Sequence, residues 1–269
     1  MTARLALVRG RVLPNGWADL LRQCSLFGLA YLLYRLVEGM VATNSSVAFA
    51  HARELISLER SLHVFVEPQI QAWATSSHLL MVVATYVYIN AQTTILIALL
   101  FYLYIAHNRS YYFVRNMLFV GLAIGLIGYG LFPTAPPRFL PEWGFIDTIY
   151  QVTGVSGNST IAGFFFNPYA AMPSMHVACA VMLGWSFAHL VRSRIAKVAW
   201  SLWPLFITFM TVITGNHFLI DAVAGLVVAG VSLVAARRLA ALRPHAWTFR
   251  VPAPAGPAPT PQGAPVPAT

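Results

Sequence analysis

The sequence predicts an all-α, polytopic membrane protein, a bundle of six transmembrane helices with one amphipathic helix lying at the interface. Three observations carry this. Hydrophobic residues make up 58% of the 269, and charged residues only 9%, against roughly 25% charged in soluble domains. The apolar residues gather in runs that reach the length of about 20 needed to cross a bilayer. The basic residues collect on alternate connections between those runs, which is the pattern that fixes membrane orientation. The first observation excludes an ordinary water-soluble enzyme. The formal charge of +9 therefore reads as arginines that set orientation, and no nucleic-acid partner is expected. The two cysteines, Cys24 and Cys179, both fall in apolar runs, and neither a disulfide framework nor a zinc-ligand spacing is expected.

The first expected span covers 24–43 and carries Arg35 and Glu38, three apart on one helical face and able to pair. A structural pair facing the bundle interior is one reading; intramembrane ions also mark function. No small-residue cleavage site follows, so the run reads as a retained helix. Residues 47–66 differ: Leu55, Leu58, Leu62 and Phe65 recur at helical spacing while Arg53, Arg60 and Glu67 recur every seven. That is an amphipathic helix too charged to cross a bilayer, and it is laid at the interface. From Pro68 to Ala106 no charged residue occurs, and the polar opening Gln69 to Ser77 leaves 78–106 for one long span. Further spans are expected at 112–132, 173–191, 196–214 and 218–236.

A loop rich in Gly, Pro and Asn, 133–172, separates the third span from the fourth, and loops of that length are usually functional or disordered. Residues 251–269 hold seven prolines in nineteen positions, a composition that forms no packed core. The expected organisation is a cytoplasmic N-terminal segment 1–23, a catalytic membrane domain 24–243 and a disordered Pro/Ala-rich cytoplasmic tail 244–269, with no internal repeat.

Thirteen of the seventeen basic residues fall on one side: Arg4, Arg9, Arg11, Arg22, Arg109, Arg115, Arg192, Arg194, Lys197, Arg237, Arg238, Arg243 and Arg250. By the positive-inside rule both termini are cytoplasmic. The expected setting is a bacterial-type plasma membrane.

Three clusters then fall on the extracytoplasmic side. In "PTAPPRFL" the prolines stiffen the backbone around Arg138, whose planar fork suits phosphate. In "NPYAAMPSMHVA" Pro173 stands at a helix start, with His176 in the first turn. Ser174 and the free N–H groups of that turn face any anion placed there. In "TGNHFLIDAVAG" His217 and Asp221 are four apart, on one face at the start of the last span. Asp221 can accept the Nδ1–H of His217 and leave Nε2 free as nucleophile or base. His51, His63, His78, His107, His189 and His245 are read as non-catalytic. Together the clusters form a phosphoryl-transfer constellation. A metal site of two histidines and one carboxylate is the competing use of the same residues, and it leaves Arg138 unexplained. A lipid-binding or transport protein on the same scaffold needs no His-x3-Asp.

On these motifs the chain resembles the phosphatidic acid phosphatase type 2 superfamily, in particular its branch similar to inositol phosphorylceramide synthase, over roughly residues 25–240. The resemblance implies a six-helix bundle and metal-free, cofactor-free chemistry through a phosphohistidine. It implies that Arg138 binds phosphate with help from Ser174, that His176 is the general acid, that His217 is the nucleophile and that Asp221 orients His217. The substrate would be a lipid phosphate or phosphodiester, and the acceptor water or a second hydroxyl. The broad family's first motif carries a lysine where this chain has Leu131 and a proline where it has Phe139. The third carries Ser-Arg where this chain has Met210 and Thr211. The synthase-like branch also lacks these two cations.

Overall fold

The computed structural model describes residues 13–41, 45–155 and 169–242. The side chains of Arg35 and Glu38, residues 156–168 of the long loop and the tail lie outside it, as do the expectations that rest on them. Among the described residues the fold is helical, with one isolated bridge between Thr134 and Ala170 and no strand. The helices are α1 (Gly16–Val41), α2 (Ser45–Ser61), α3 (Glu67–Thr75), α4 (His78–Asn90), α5 (Leu96–Ala106), α6 (Asn108–Leu131), α7 (Thr148–Thr153), α8 (Met175–Leu190), α9 (Arg194–Ile213) and α10 (Leu219–Leu242). Serines or aspartate start four of them. Ser77, Asp147, Ser174 and Ser193 each accept the N–H three residues on, the usual way an otherwise orphaned donor is satisfied.

Three helices, α6, α9 and α10, are long and apolar enough to cross a membrane. A fourth candidate is the pair α3 and α4, which is bent by 119°. The chain is helical without a break from His78 to Ala106, through a five-residue π-turn at Ala91–Ile95. The other expected spans are shorter or more polar. At sixteen residues, α8 is about 24 Å long, less than the ~30 Å of a hydrocarbon core. The 26-residue α1 carries Asp19, Arg22, Arg35 and Glu38.

Helix α8 is the centre of the bundle, packed against α6, α9 and α10. Leu103, Tyr111, Met117, Met182, Leu183 and Phe187 form the core around it. At the end away from the long loop, Asp19 accepts from Tyr104 and Tyr112, and Arg115 donates to Gln23 Oε1 at 2.6 Å. Arg115, expected in a cytoplasmic connection, is instead a buried residue of α6.

The amphipathic helix is shorter than expected. It ends at Ser61, and Leu58 and Leu62 point outward, 47% and 58% exposed. The buried stripe is Ala48, Ala52, Leu55, Ile56 and Glu59. The two alanines let the helix approach Ala135, Leu140, Phe145 and Phe218 closely, and the N–H of Ala135 bonds Ala48 O at 3.1 Å. Glu67, expected on the charged stripe with Arg53 and Arg60, opens α3 and is fully buried. The long loop is not structureless. Its described part holds 3-10 turns at Pro137–Phe139 and Pro141–Trp143 and the helix α7. Gln71 of α3 clamps it by pairing with both backbone groups of Ile146.

Candidate active site

The site is built where the first turns of α8 and α10 cross. Ser174 donates its N–H to Asp221 O at 3.0 Å. The approach requires a glycine one turn along α10, because a Cβ on Gly225 would lie 2.4 Å from Ser174 O. Pro173 falls just before the helix, not at its first position. Ser174 is the N-cap and its hydroxyl oxygen takes the Val177 N–H at 3.3 Å. Its hydroxyl hydrogen remains available as a donor. This crossing sets the rings of His176 and His217 5.6 Å apart between centroids.

His217 lies in the turn before α10, not on the helix, and is 3% exposed. Its Nδ1 is 2.9 Å from Ala171 O and 3.5 Å from Asp221 Oδ2. The expected Asp221 acceptor is therefore second to a backbone carbonyl. Ala171 is held there by the small bridge, in which Thr134 accepts from the Ala171 N–H at 3.2 Å. A carbonyl oxygen can only accept, so the proton sits on Nδ1 and the lone pair on Nε2. That Nε2 is buried with no hydrogen-bond partner. Burial pushes the His217 imidazole down to about 3, so at neutral pH the ring is uncharged and its lone pair available.

Asp221 reaches back to accept the Phe218 N–H at 2.9 Å, the far half of a capping box at the start of α10. The next two N–H groups are also taken by carboxyls: Leu219 by Glu67 Oε1 and Ile220 by Glu59 Oε1, both at 2.9 Å. This N-terminus is closed by three acids and offers nothing to a phosphate. His217 turns its protonated Nδ1 toward Ala171 and Asp221, so only its Nε2 would be open to a metal. Among the described residues no group of three or more His, Cys, Asp and Glu could hold a metal ion.

Arg138 stands in the 3-10 turn of the loop, tied to the turn before α10 by its N–H to Gly215 O at 2.7 Å. Its guanidinium donates to Asn216 Oδ1 and lies 3.8 Å from Asp147. Gly215 has φ +66, and a Cβ there would meet Gln71 Nε2 at 2.6 Å. Burial lowers the Arg138 pKa from its ordinary value, a desolvation cost that an incoming anion would offset. Arg138, Ser174, His176, His217 and Asp221, spread over 84 positions of sequence, thus come together at one end of the bundle.

Sequence reasoning missed four side chains that contribute. Tyr88 of α4 stacks on His176, with ring centroids 4.2 Å apart, and interacts electrostatically with Arg138. Asn216 holds the Arg138 fork. Glu59 and Glu67 close α10. Glu59 carried a signal, since Ala48, Ala52, Leu55 and Glu59 repeat at helical spacing beside the more conspicuous leucine stripe.

A family model described as the PAP2 superfamily matches residues 53–235, a stretch that contains every residue of this site. The chain belongs to the PAP2 superfamily. It is also 31% identical over 144 residues to a phosphoinositol dihydroceramide synthase of Bacteroides thetaiotaomicron. That match spans 46% of this PAP2 chain and 45% of the relative's length. No solved structure matches.

Proposed function

We propose that this PAP2 protein is a membrane-embedded, metal-independent lipid phosphatase or phosphotransferase acting through a phosphohistidine on a lipid phosphate or phosphodiester. In this reading the bundle has six spans, with α8 and the broken helix 78–106 completing the count, and both termini are cytoplasmic. The site then faces the extracytoplasmic side of the plasma membrane, and the lipid tail stays in the outer leaflet while its head group reaches His217. The carrying observation is His217 itself: Nδ1 committed to Ala171, Nε2 unpartnered, and His176 and Arg138 within reach.

The chemistry follows from those positions. The lone pair of His217 Nε2 attacks phosphorus, the P–O bond to the leaving group breaks, and that oxygen takes a proton from His176. Arg138 stabilises charge on the equatorial oxygens, and the Ser174 hydroxyl adds one neutral donor. Asp221 balances the positive charge that develops on the His217 ring. In the second half, His176 removes a proton from the acceptor hydroxyl, which attacks phosphorus and breaks the P–N bond. Water gives hydrolysis; an alcohol gives transfer.

A second reading is a strict transferase that moves a phosphoinositol-like head group onto a lipid hydroxyl, supported by the similarity to the phosphoinositol dihydroceramide synthase. One experiment tests both. Purified protein is incubated with labelled short-chain phosphatidic acid, or with phosphatidylinositol and a ceramide, with and without excess chelator. A base-stable, acid-labile phosphoprotein that forms in chelator supports the phosphohistidine, and activity restored only by a divalent metal overturns it. Orientation is tested separately in a background lacking Cys24 and Cys179. Gly157→Cys should react with an impermeant thiol reagent in intact cells and Arg192→Cys should not; the reverse pattern overturns the sidedness.

A further inference from the structure

Glu59 of α2 and Glu67 of α3 are each fully buried, and each gives one oxygen to the first turn of α10. Their second oxygens, Glu59 Oε2 and Glu67 Oε2, are buried without a hydrogen-bond partner, yet the two side chains lie within hydrogen-bonding reach of each other. Two adjacent buried carboxylates repel, and neither is solvated. A single proton between the orphaned oxygens removes the repulsion and satisfies both at once.

We propose that Glu59 and Glu67 share one proton across these two oxygens and act as positioning residues, holding the first turn of α10, and with it His217 and Asp221, in the reactive arrangement; the inference rests on the reading of His217 as the nucleophile. The placement explains why charge is buried here at all. The carboxyls of α2 and α3 take the backbone N–H groups of Leu219 and Ile220, two of the three residues between His217 and Asp221. The remaining single negative charge sits on the positive end of the α10 dipole, where it is stabilised. The charged groups facing Glu59 are Glu67 from α3 and Asp221 from α10, while Arg53 and Arg60 on its own helix are exposed. With these neighbours Glu59 is pushed up to about 9, chiefly by burial, so the shared proton is held at neutral pH and lost in alkali.

The test uses Glu59→Gln, Glu67→Gln and the double variant in detergent, with short-chain phosphatidic acid as the activity probe. An amide at either position keeps the acceptor for α10 and donates to the remaining carboxylate, so each single variant should retain kcat within about threefold. The double variant sets two amide donors against each other, and its kcat should fall at least thirtyfold with KM changed little and with folded protein still recovered. Wild-type kcat should fall as pH rises through about 9, and Glu59→Gln should lose that limb, since an amide has no proton to release. A purely structural pair would change yield and thermal stability without moving the alkaline limb, and that result overturns the proposal. Equal, severe losses in both single variants also overturn it. The infrared carbonyl stretch of a protonated carboxylic acid needs no turnover: it should be present at pH 7 in the wild type and absent in both single variants. A band without turnover of any probe sinks the proposed function and leaves the pair intact. Turnover without a band sinks the pair alone.

Discussion

The Nδ1 of His217 lies 2.9 Å from the carbonyl oxygen of Ala171 and 3.5 Å from Asp221, so a backbone group, not the carboxylate, makes the shorter contact. The tautomer is thus set by the chain path around the Thr134–Ala170 bridge. In the proposed mechanism, what remains for Asp221 is electrostatic balance for the ring once it carries the phosphoryl group, together with the cap on Phe218.

Asp221→Asn should therefore be damaging without being fatal. Asparagine's side-chain oxygen still accepts the Phe218 N–H, and Ala171 still fixes Nδ1–H. The lost term is charge stabilisation, on the scale of a hydrogen bond to a charged group, about 1.5–3 kcal/mol, or roughly 10–150-fold in kcat. Steady-state kinetics on phosphatidic acid check this; a loss as complete as that of His217→Ala would return the tautomer role to Asp221.

Much of this was legible in the sequence because the chemistry-bearing residues stand out against an apolar background. Arg138, His176, His217 and Asp221 are rare polar groups at the ends of apolar runs, and the unbroken helical run from His78 to Ala106 follows from a charge-free stretch. The side of α2 that meets the bundle was not legible. The spacing of Leu58 and Leu62 marks an apolar face without saying whether it meets protein or membrane. In a protein whose outer surface is itself apolar, leucine can face outward while alanine and a glutamate face in. Ala171 was invisible for a different reason: its contribution is a carbonyl, which no residue type announces, and its position depends on a bridge between segments 36 residues apart.

Tyr88 separates two functions of one side chain. Its ring stacks on His176 at 4.2 Å, and its hydroxyl lies in the field of Arg138. Tyr88→Phe keeps the stack and should leave kcat within a few-fold, with KM for the lipid phosphate raised. Tyr88→Ala frees the His176 ring and should lower kcat about 100-fold, the scale of a misplaced catalytic group. If the two variants behave alike, the ring has no positioning role.

The pH dependence of stability carries a sign that can be read in advance. Burial lowers His217 to about 3 from an ordinary value near 6.5, so between those limits the unfolded chain binds the proton and the folded one does not. Stability then rises with pH across this window: the contribution is complete above about 6.5 and is lost as pH falls toward 3. Glu59 acts in the opposite sense. Raised to about 9, it favours the folded state below its unfolded value and withdraws that support as pH climbs toward 9. Thermal unfolding in detergent at pH 4–7 should show a steeper acid slope for wild type than for His217→Gln. Matching slopes would mean that the ring is hydrated in the folded protein.

The two histidines should separate by leaving group. His217→Ala removes the atom proposed to bond phosphorus, so neither phosphoenzyme nor turnover should form with any substrate. His176→Ala leaves that atom in place and removes only the proton donor, which contributes about 10²–10⁴-fold where the leaving group is a poor anion. A lipid alkoxide is such a group, whereas an aryl oxide departs without a proton. An aryl phosphate should therefore rescue His176→Ala at least tenfold relative to phosphatidic acid, and should give His217→Ala nothing. His176 is only partly buried and has Tyr88 on one face, so its replacement should leave the α8–α10 crossing at Ser174 and Gly225 undisturbed and the protein folded. Equal rescue of both variants, or a phosphohistidine that still forms in His217→Ala, would exchange the two roles: His176 would then be the residue that bonds phosphorus, and the unpartnered Nε2 of His217 would be the one that moves the proton.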